Sequence, residues 1–180
     1  MINAIIDYYN NCRRRSYLRK LRARGLDIAP DAMLQDGFFL DPSHCYLISI
    51  GSRVTFAPNV RLIAHDASTK KLFGATRLGR IIIEAHCFLG DSVVVLPGVT
   101  IGRGSIIGAG SVVTRSIPEG VVAVGNPAKV MCTVEEYKQR QLALLERSQK
   151  FTEAYWVDRA TPEQLQEVRK AVEAGPTFIA

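Results

Sequence analysis

A histidine and an aspartate stand side by side at His65 and Asp66, at the start of the polar, glycine-containing stretch HDASTKKLFGATRLGR. A neutral imidazole, with an unperturbed pKa near 6.5, can take a proton from an attacking alcohol, which contributes on the order of 10²–10⁴ in rate. A lone histidine is, however, more often a structural residue with satisfied hydrogen bonds. The pair alone leaves both interpretations open, so the elements that position it must be considered next.

Those elements repeat every six residues. One aliphatic residue returns at this spacing and a small or β-branched residue fills the fifth place of each unit. The aliphatic positions are Ile83, Leu89, Val95, Ile101, Ile107 and Val113, and the fifth places are Cys87, Val93, Val99, Ser105 and Ser111. A period of six does not fit a helix but is a multiple of the strand period of two, so each unit predicts a short strand and a turn. Stacked units of this kind predict a solenoid with an internal aliphatic ladder.

The repeat frame also reaches upstream, through Ile50, Phe56 and Leu62, and residues 30–49 are expected to form early, imperfect coils. Leu62 and Ile83 are 21 residues apart, which is three units plus three. An excursion must therefore interrupt the coil, and we expect it at the loop 66–79. Loops that leave a rigid repeat commonly carry function.

The frame assigns a place in its unit to each residue of the candidate site. Asp66 falls in the fifth place, where a carboxylate departs from the pattern of small residues. His86 falls in the same fourth place as His65, which predicts that the two lie on one corner of neighbouring coils if the excursion absorbs the three surplus residues.

The basic charge of the chain is concentrated in residues 1–25. This segment holds seven arginines and lysines and one acidic residue, Asp7. Its net charge of +6 therefore equals that of the whole chain. Helically spaced apolar residues predict a basic N-terminal helix that ends at Gly25; they include Ile5, Tyr9, Cys12, Leu18 and Leu21. The helix either caps the solenoid or meets an anionic partner such as a phosphorylated glycolipid or a membrane face. No recognition motif favours nucleic acid.

Two helices are predicted in residues 133–175. Thr133-Val134-Glu135-Glu136 forms a capping-box sequence for a helix to about Trp156. Thr161-Pro162-Glu163-Gln164 repeats the pattern with proline at the first helical position, and Gly175-Pro176 ends the second helix. We expect these helices to flank the solenoid within a single domain, residues 1–180.

Composition and short motifs argue against several classes of protein, among them membrane-spanning and secreted proteins. No apolar run reaches the eighteen residues of a membrane span, and charges follow apolar residues at the start, the reverse of a secretory signal. This predicts a cytoplasmic protein. The four cysteines are scattered without CxxC spacing, which favours reduced structural thiols and no metal site. No phosphate-binding GxGxxG or GxxxxGK sequence is present.

Residues 46–131 resemble the hexapeptide-repeat acyltransferases through IG-x4 units, LPGVTIG, IGAGSVV and GNPAKV. The resemblance implies an all-β fold, a left-handed parallel β-helix with an N-terminal helix and C-terminal helices. This handedness comes from the resemblance alone, since parallel crossovers generally favour the right hand. It also implies a homotrimer that uses acetyl-CoA as acyl donor.

The resemblance assigns roles to particular residues. His65 would be the general base, with Asp66 beside it, because similar sugar O-acetyltransferases carry this histidine just before such a loop. Asp36 and Asp41 are the residues that the resemblance would place against the acceptor, and the frame position of His86 would let it line the same site. Residues that would contact acetyl-CoA are Phe88, where the family often has tryptophan, and Asp91, Ala109, Thr114, Asn126 and Lys129.

The resemblance therefore implies an acetyl-CoA-dependent O-acetyltransferase that acts on a sugar hydroxyl of a polysaccharide, lipopolysaccharide or glycolipid precursor, with His65 as its base. No serine or cysteine has a nucleophile setting beside His65, so direct attack without a covalent acyl-enzyme is expected. An N-acyltransferase acting on an amino sugar is the alternative. A γ-type carbonic anhydrase fits less well, because His44, His65 and His86 do not reproduce its close pair of histidine ligands. A purely structural solenoid gives no reason for Asp66.

Overall fold

Three parallel sheets surround one aliphatic core in the first part of this chain. The computed structural model describes the backbone of residues 2–179 and the side chains of residues 13–179. The chain divides into two compact units, residues 1–134 and 135–180. The prediction of one acyltransferase domain stays a prediction.

The strands of the first unit are short and are shared among three sheets. The first sheet contains β1 (Asp27–Ile28), β4 (Ile48–Ile50), β9 (Ile81–Ile83) and β12 (Thr100–Ile101). The second contains β2 (Met33–Leu34), β5 (Thr55–Phe56), β10 (Phe88–Leu89), β13 (Ile106–Ile107), β15 (Val121–Val124) and the antiparallel β16 (Lys129–Thr133). The third contains β3 (Phe39–Leu40), β6 (Arg61–Leu62), β11 (Val94–Val95) and β14 (Val112–Val113).

Each coil takes one strand from each sheet, and successive coils stack in parallel register. Ile50 pairs with Ile83, and Ile83 pairs with Ile101. The six predicted ladder residues from Ile83 to Val113 are each at most 1% exposed, which confirms the sequence-based ladder. The fifth-place residues are buried as well, including Ser105 and Ser111. Burial of an aliphatic side chain contributes about 1.5–3 kcal/mol, so the repeated ladder stabilises the stack.

Three corners join the sheets, and they are named here by position. The first corner leads from the first sheet to the second (residues 29–32, 51–54, 84–87 and 102–105), the second from the second sheet to the third (35–38, 57–60, 90–93 and 108–111), and the third back to the first (41–47, 63–80, 96–99 and 114–116). The coils approach so closely at the second corner that a Cβ on Gly90 would lie 2.5 Å from the Ala109 nitrogen.

The excursion leaves the coil at the third corner. It contains an antiparallel pair, β7 (His65–Asp66) and β8 (Arg77–Leu78), and a short helix, α2 (Lys70–Phe73), between them. The Gly79 nitrogen donates to the Ala64 carbonyl at 3.0 Å, which returns the chain to the corner where it left.

The N-terminal helix α1 (Ile2–Ala23) packs on the first coil. Leu21 is buried, and Tyr17 and Leu18 lie against the core, so the described part of the helix caps the solenoid. The buried Cys45 thiol donates to the Leu21 carbonyl at 3.6 Å. The predicted apolar positions Ile5, Tyr9 and Cys12 lie outside the described side chains. No helix in the described residues is both long and apolar enough to span a membrane.

The second unit contains two helices and a small sheet. Its helices are α3 (Val134–Arg147) and α4 (Pro162–Ala174), and its parallel strands are β17 (Gln149–Phe151) and β18 (Thr177–Ile179). The prediction of one helix to about Trp156 is wrong, because Phe151 is buried in a strand and contacts Tyr155. The capping box at Thr161 and Gln164 is present as predicted.

Candidate active site

Asp41 and His65 meet at the third corner of successive coils. Asp41 directly follows β3 and His65 comes three residues after β6, while Leu40 and Leu62 at the ends of these strands are partners in the sheet. The Asp41 Oδ2 and His65 Nδ1 atoms are 2.5 Å apart, so the imidazole donates a hydrogen bond to the carboxylate. The stacking of two coils thus forms an aspartate–histidine pair.

The Asp41 carboxylate is fully buried, with 0% of the residue exposed. Its Oδ2 also accepts from the Ala64 N–H at 3.0 Å, and its Oδ1 accepts from the N–H groups of Ser43 and His44 at 3.1 and 3.3 Å. Burial raises the pKa of Asp41, but the hydrogen bond from His65, the charge of His65 and the backbone donors outweigh it, and the pKa lies below its usual value. A buried ionised carboxylate therefore holds the ring of His65.

The orientation of His65 follows from this contact. Its Nδ1 carries the proton of the hydrogen bond to Asp41, so Nε2 is the nitrogen that can accept a proton. The side chain is 32% exposed, so the ring reaches solvent while one edge is fixed. A carboxylate on Nδ1 also stabilises the imidazolium that forms when Nε2 takes a proton. This arrangement is suited to general-base chemistry.

A second imidazole, that of His44, lies against the pair. The ring centroids of His44 and His65 are 4.9 Å apart, and His44 Nδ1 lies 3.8 Å from Asp41 Oδ1, buried and without a hydrogen-bond partner. Asp41, His44 and His65 each offer a ligand atom within 4.8 Å of the others, so this group could hold a metal ion. The prediction that the chain uses no metal stays a prediction.

Asp66 does not occupy the inward fifth place that the sequence predicted. The regular coil ends at the fully buried Ala64, and Asp66 lies in the hairpin of the excursion. Its Oδ1 accepts from the Ser68 N–H at 2.9 Å, and its carboxylate lies 3.9 Å from Arg77. Hydrogen bonds from Ser68 lower the pKa of Asp66. The carboxylate beside His65 in sequence thus orders the loop, and Asp41 is the one that contacts the imidazole.

The three residues predicted to contact the acceptor are not brought together within one chain. Asp41 is fully buried, so the prediction that it contacts an acceptor is corrected: all four donors that reach it come from the protein. Asp36 lies at the second corner, with its side chain 77% exposed and 3.7 Å from Arg14.

His86 does not share a corner with His65. It lies at the first corner, where its N–H donates to the Ser52 carbonyl at 2.9 Å, whereas His65 is at the third. The prediction of one shared corner is therefore wrong. Ile83 lies only one face beyond Leu62, because β9 pairs with β4 in the first sheet. The 21 residues from Leu62 to Ile83 therefore cover one regular unit of six and fifteen residues added at the third corner, not three units plus three.

The residues predicted to contact acetyl-CoA lie mostly along one edge. Asp91 and Ala109 are exposed at the second corner of successive coils, where the Gly110 N–H donates to the Asp91 carbonyl at 2.8 Å. Asn126 continues this edge in the exposed turn after β15. The remaining three lie elsewhere: Phe88 on the outer face of the second sheet, Lys129 at the start of β16 and Thr114 at the third corner.

The sequence held a signal for the partnership of Asp41 that the repeat frame did not use. Ile28, Leu34 and Leu40 are six residues apart and are buried, so they form the first regular coil. Extending the frame to Leu40 places Asp41 one residue beyond a ladder position, at the corner where His65 also lies. His44 comes three residues after Asp41 and lies at the same corner.

Comparisons with known proteins find hexapeptide-repeat transferases and acetyltransferases among the relatives. Residues 80–115 match the family described as bacterial transferase hexapeptide (six repeats). The galactoside O-acetyltransferase of Lactococcus lactis is 45% identical over 86 residues, which cover 46% of this chain and 42% of that protein. A candidate acetyltransferase of Schizosaccharomyces pombe is 44% identical over 100 residues, covering 54% of this chain and 47% of that protein.

A solved structure extends this similarity. The hexapeptide-repeat-containing acetyltransferase of Vibrio cholerae O1 biovar eltor, complexed with acetyl coenzyme A, is 27% identical with a TM-score of 0.52. The match covers 59% of this chain and 58% of that one. This chain spans about half the length of the curated relatives that it matches.

Proposed function

Since residues 80–115 match the bacterial transferase hexapeptide family and a galactoside O-acetyltransferase is among the relatives, we propose that this chain is an acetyl-CoA-dependent O-acetyltransferase. The acceptor would be a sugar hydroxyl of a polysaccharide, lipopolysaccharide or glycolipid precursor. The observation that carries this proposal is the contact between the buried Asp41 carboxylate and the ring of His65, whose side chain is 32% exposed. It provides an oriented base in a chain whose relatives include a galactoside O-acetyltransferase.

The reaction uses His65 twice. Its Nε2 takes the proton of the acceptor hydroxyl as the oxygen attacks the thioester carbonyl carbon, and Asp41 offsets the positive charge on the ring. Attack forms the new C–O bond. The C–S bond then breaks, and His65 returns the proton to the departing sulfur. The products are an O-acetylated sugar and the free thiol of CoA.

The exposed edge at the second corner fits an extended acyl donor. Asp91, Ala109 and Asn126 follow one another there and are exposed, so an extended donor would lie along them. Lys129 is exposed and forms no ion pair with any described side chain, so its charge is available to phosphate oxygens. Phe88 and Thr114 would border the donor from neighbouring faces.

A homotrimer of left-handed β-helices would complete the site. His65, His86 and the line from Asp91 to Asn126 occupy three different corners of one coil stack, so a single chain cannot place them around one substrate. Adjacent copies would bring the third corner of one chain near the second corner of the next. A cytoplasmic location is part of the same proposal.

Transfer of labelled acetyl groups from acetyl-CoA tests the function. The protein is incubated with a panel of sugars, nucleotide sugars and lipid-linked oligosaccharides, and each product is treated with neutral hydroxylamine, which releases acetyl from esters and leaves amides intact. The proposal expects a hydroxylamine-labile product. A stable product made only with amino sugars would instead show the N-acyltransferase, and no transfer to any acceptor would contradict both.

A further inference from the structure

A groove of about 640 Å³ lies between α1 and the first coil. Arg14, Arg15 and Arg22 line it on the helix side. Leu18, Ile28 and Met33 are among the apolar residues that form the rest of its wall. The groove therefore combines three guanidinium groups with an apolar surface.

Two of these guanidinium groups donate hydrogen bonds to backbone carbonyl groups of the first coil. Arg14 Nη1 donates to the Leu34 carbonyl at 2.9 Å, and Arg22 Nη2 donates to the Ile28 carbonyl at 3.3 Å. The carbonyl orients the Arg22 guanidinium without neutralising its charge, whereas Arg14 also forms an ion pair with Asp36. The positive charges on the helix side of the groove are thus positioned by the fold of the first coil.

Acidic side chains are absent from the groove wall as far as the structure describes it. Asp36 lies 3.7 Å from Arg14 but is not part of the wall and is largely exposed. Arg15 and Arg22 form no ion pair with any side chain of residues 13–179. The groove consequently has a positive potential that an anion would lower.

The chemistry of this wall identifies the class of ligand. Guanidinium groups bind phosphate oxygens in a bidentate manner, and apolar neighbours favour a phosphate attached to a lipid over one surrounded by water. Met33 is 62% exposed at the apolar side. The segment MINAIIDYYNN that precedes the arginines contains one charged residue, Asp7, so the chain before the groove is also rich in apolar side chains.

We propose that this groove binds the phosphate group of an anionic membrane lipid and thereby docks α1 on a membrane surface. Docking of this kind goes beyond acetyl transfer and does not depend on it. It also explains why the net charge of the chain is concentrated in residues 1–25. Each arginine near an anionic surface strengthens binding roughly fivefold.

Co-sedimentation with vesicles tests the proposal on the full chain. The parent is expected to sediment with phosphatidylcholine vesicles that contain phosphatidylglycerol and not to bind vesicles of pure phosphatidylcholine. Raising the salt concentration should release the bound protein. The double variant Arg15→Gln/Arg22→Gln should bind about 25-fold more weakly, from two losses of roughly fivefold. The single variant Arg15→Gln, which removes no described contact, should bind about 5-fold more weakly.

The matched control is Arg147→Gln/Arg169→Gln, which removes the same charge from exposed positions of α3 and α4. It should bind like the parent. Equal weakening of both double variants would show a net-charge effect and overturn the proposal, as would parental binding by the groove variants. Release of the parent by inorganic phosphate, but not by chloride at equal ionic strength, would assign the groove to free phosphate instead. Acetyl transfer to a soluble sugar should be unchanged in the groove variants.

Discussion

The Oδ2 atom of Asp41 and the Nδ1 atom of His65 lie 2.5 Å apart although 24 residues separate them in the sequence. They meet because Leu40 and Leu62 pair in the third sheet, which stacks the corners that follow. The pairing of two ladder residues in the core thus sets the geometry of the proposed base. A change that shifts the register of these strands would separate the carboxylate from the imidazole.

The two aspartates near His65 are expected to differ sharply in kinetics. Asp41→Asn should lower kcat on the order of 10²-fold, because the amide neither fixes the Nδ1–H tautomer nor offsets the imidazolium charge. Asp66→Asn is the matched control and should change kcat less than about 3-fold, since Asp66 accepts from Ser68 in the loop. Steady-state kinetics on the true acceptor measure both. A larger loss in Asp66→Asn than in Asp41→Asn would contradict this assignment.

Asp41 should also make stability depend on pH. Its pKa is lowered in the folded chain, so its contribution is present above the unfolded value near 3.9 and is lost as pH falls through the lower folded value. Urea unfolding should therefore show Asp41→Asn to be less stable than the parent at pH 7, by about 1.5–3 kcal/mol for a hydrogen bond to a charged group. The difference should shrink below about pH 4.

The control for this pH effect is Asp36→Asn, which removes a charge from an exposed side chain. Its free energy of unfolding should differ little from that of the parent at either pH. If the deficit of Asp41→Asn were the same at pH 7 and in acid, an ionised Asp41 would not be the source of the stabilisation.

Much of the fold follows from the sequence because its signals are local. The six-residue period specifies strand, inward side chain and corner within one unit, and Ile83 to Val113 are buried as predicted. The partner of His65 lies 24 residues away in the sequence, because stacking of successive coils decides which residue contacts the imidazole. Counting units across residues 63–80 placed His86 beside His65, whereas the added residues carry His86 to another corner. The position of Asp66 next to His65 in the sequence favoured it as the carboxylate of the site, whereas the stacked coils place Asp41 against the imidazole.

Lys129 should distinguish CoA from dephospho-CoA. Lys129→Ala removes a charge that has no described ion pair, so any loss of affinity comes from the ligand. If the lysine lies near the extra phosphate of CoA, the variant should bind CoA several-fold more weakly and bind dephospho-CoA like the parent. Isothermal titration calorimetry with both ligands measures this. Equal losses would place Lys129 against another part of the donor.

The most direct test of the account is the rate of His65→Ala on its true acceptor. The side chain lies at the edge of the coil, so the variant should fold and bind acetyl-CoA like the parent while kcat falls by about 10²–10⁴. The parent's kcat/KM should fall on the acid side, because a protonated imidazole cannot accept the hydroxyl proton, and this limb should vanish from the residual activity of the variant. A folded His65→Ala protein with a near-parental rate and an unchanged acid limb would contradict the assignment of His65 as the general base.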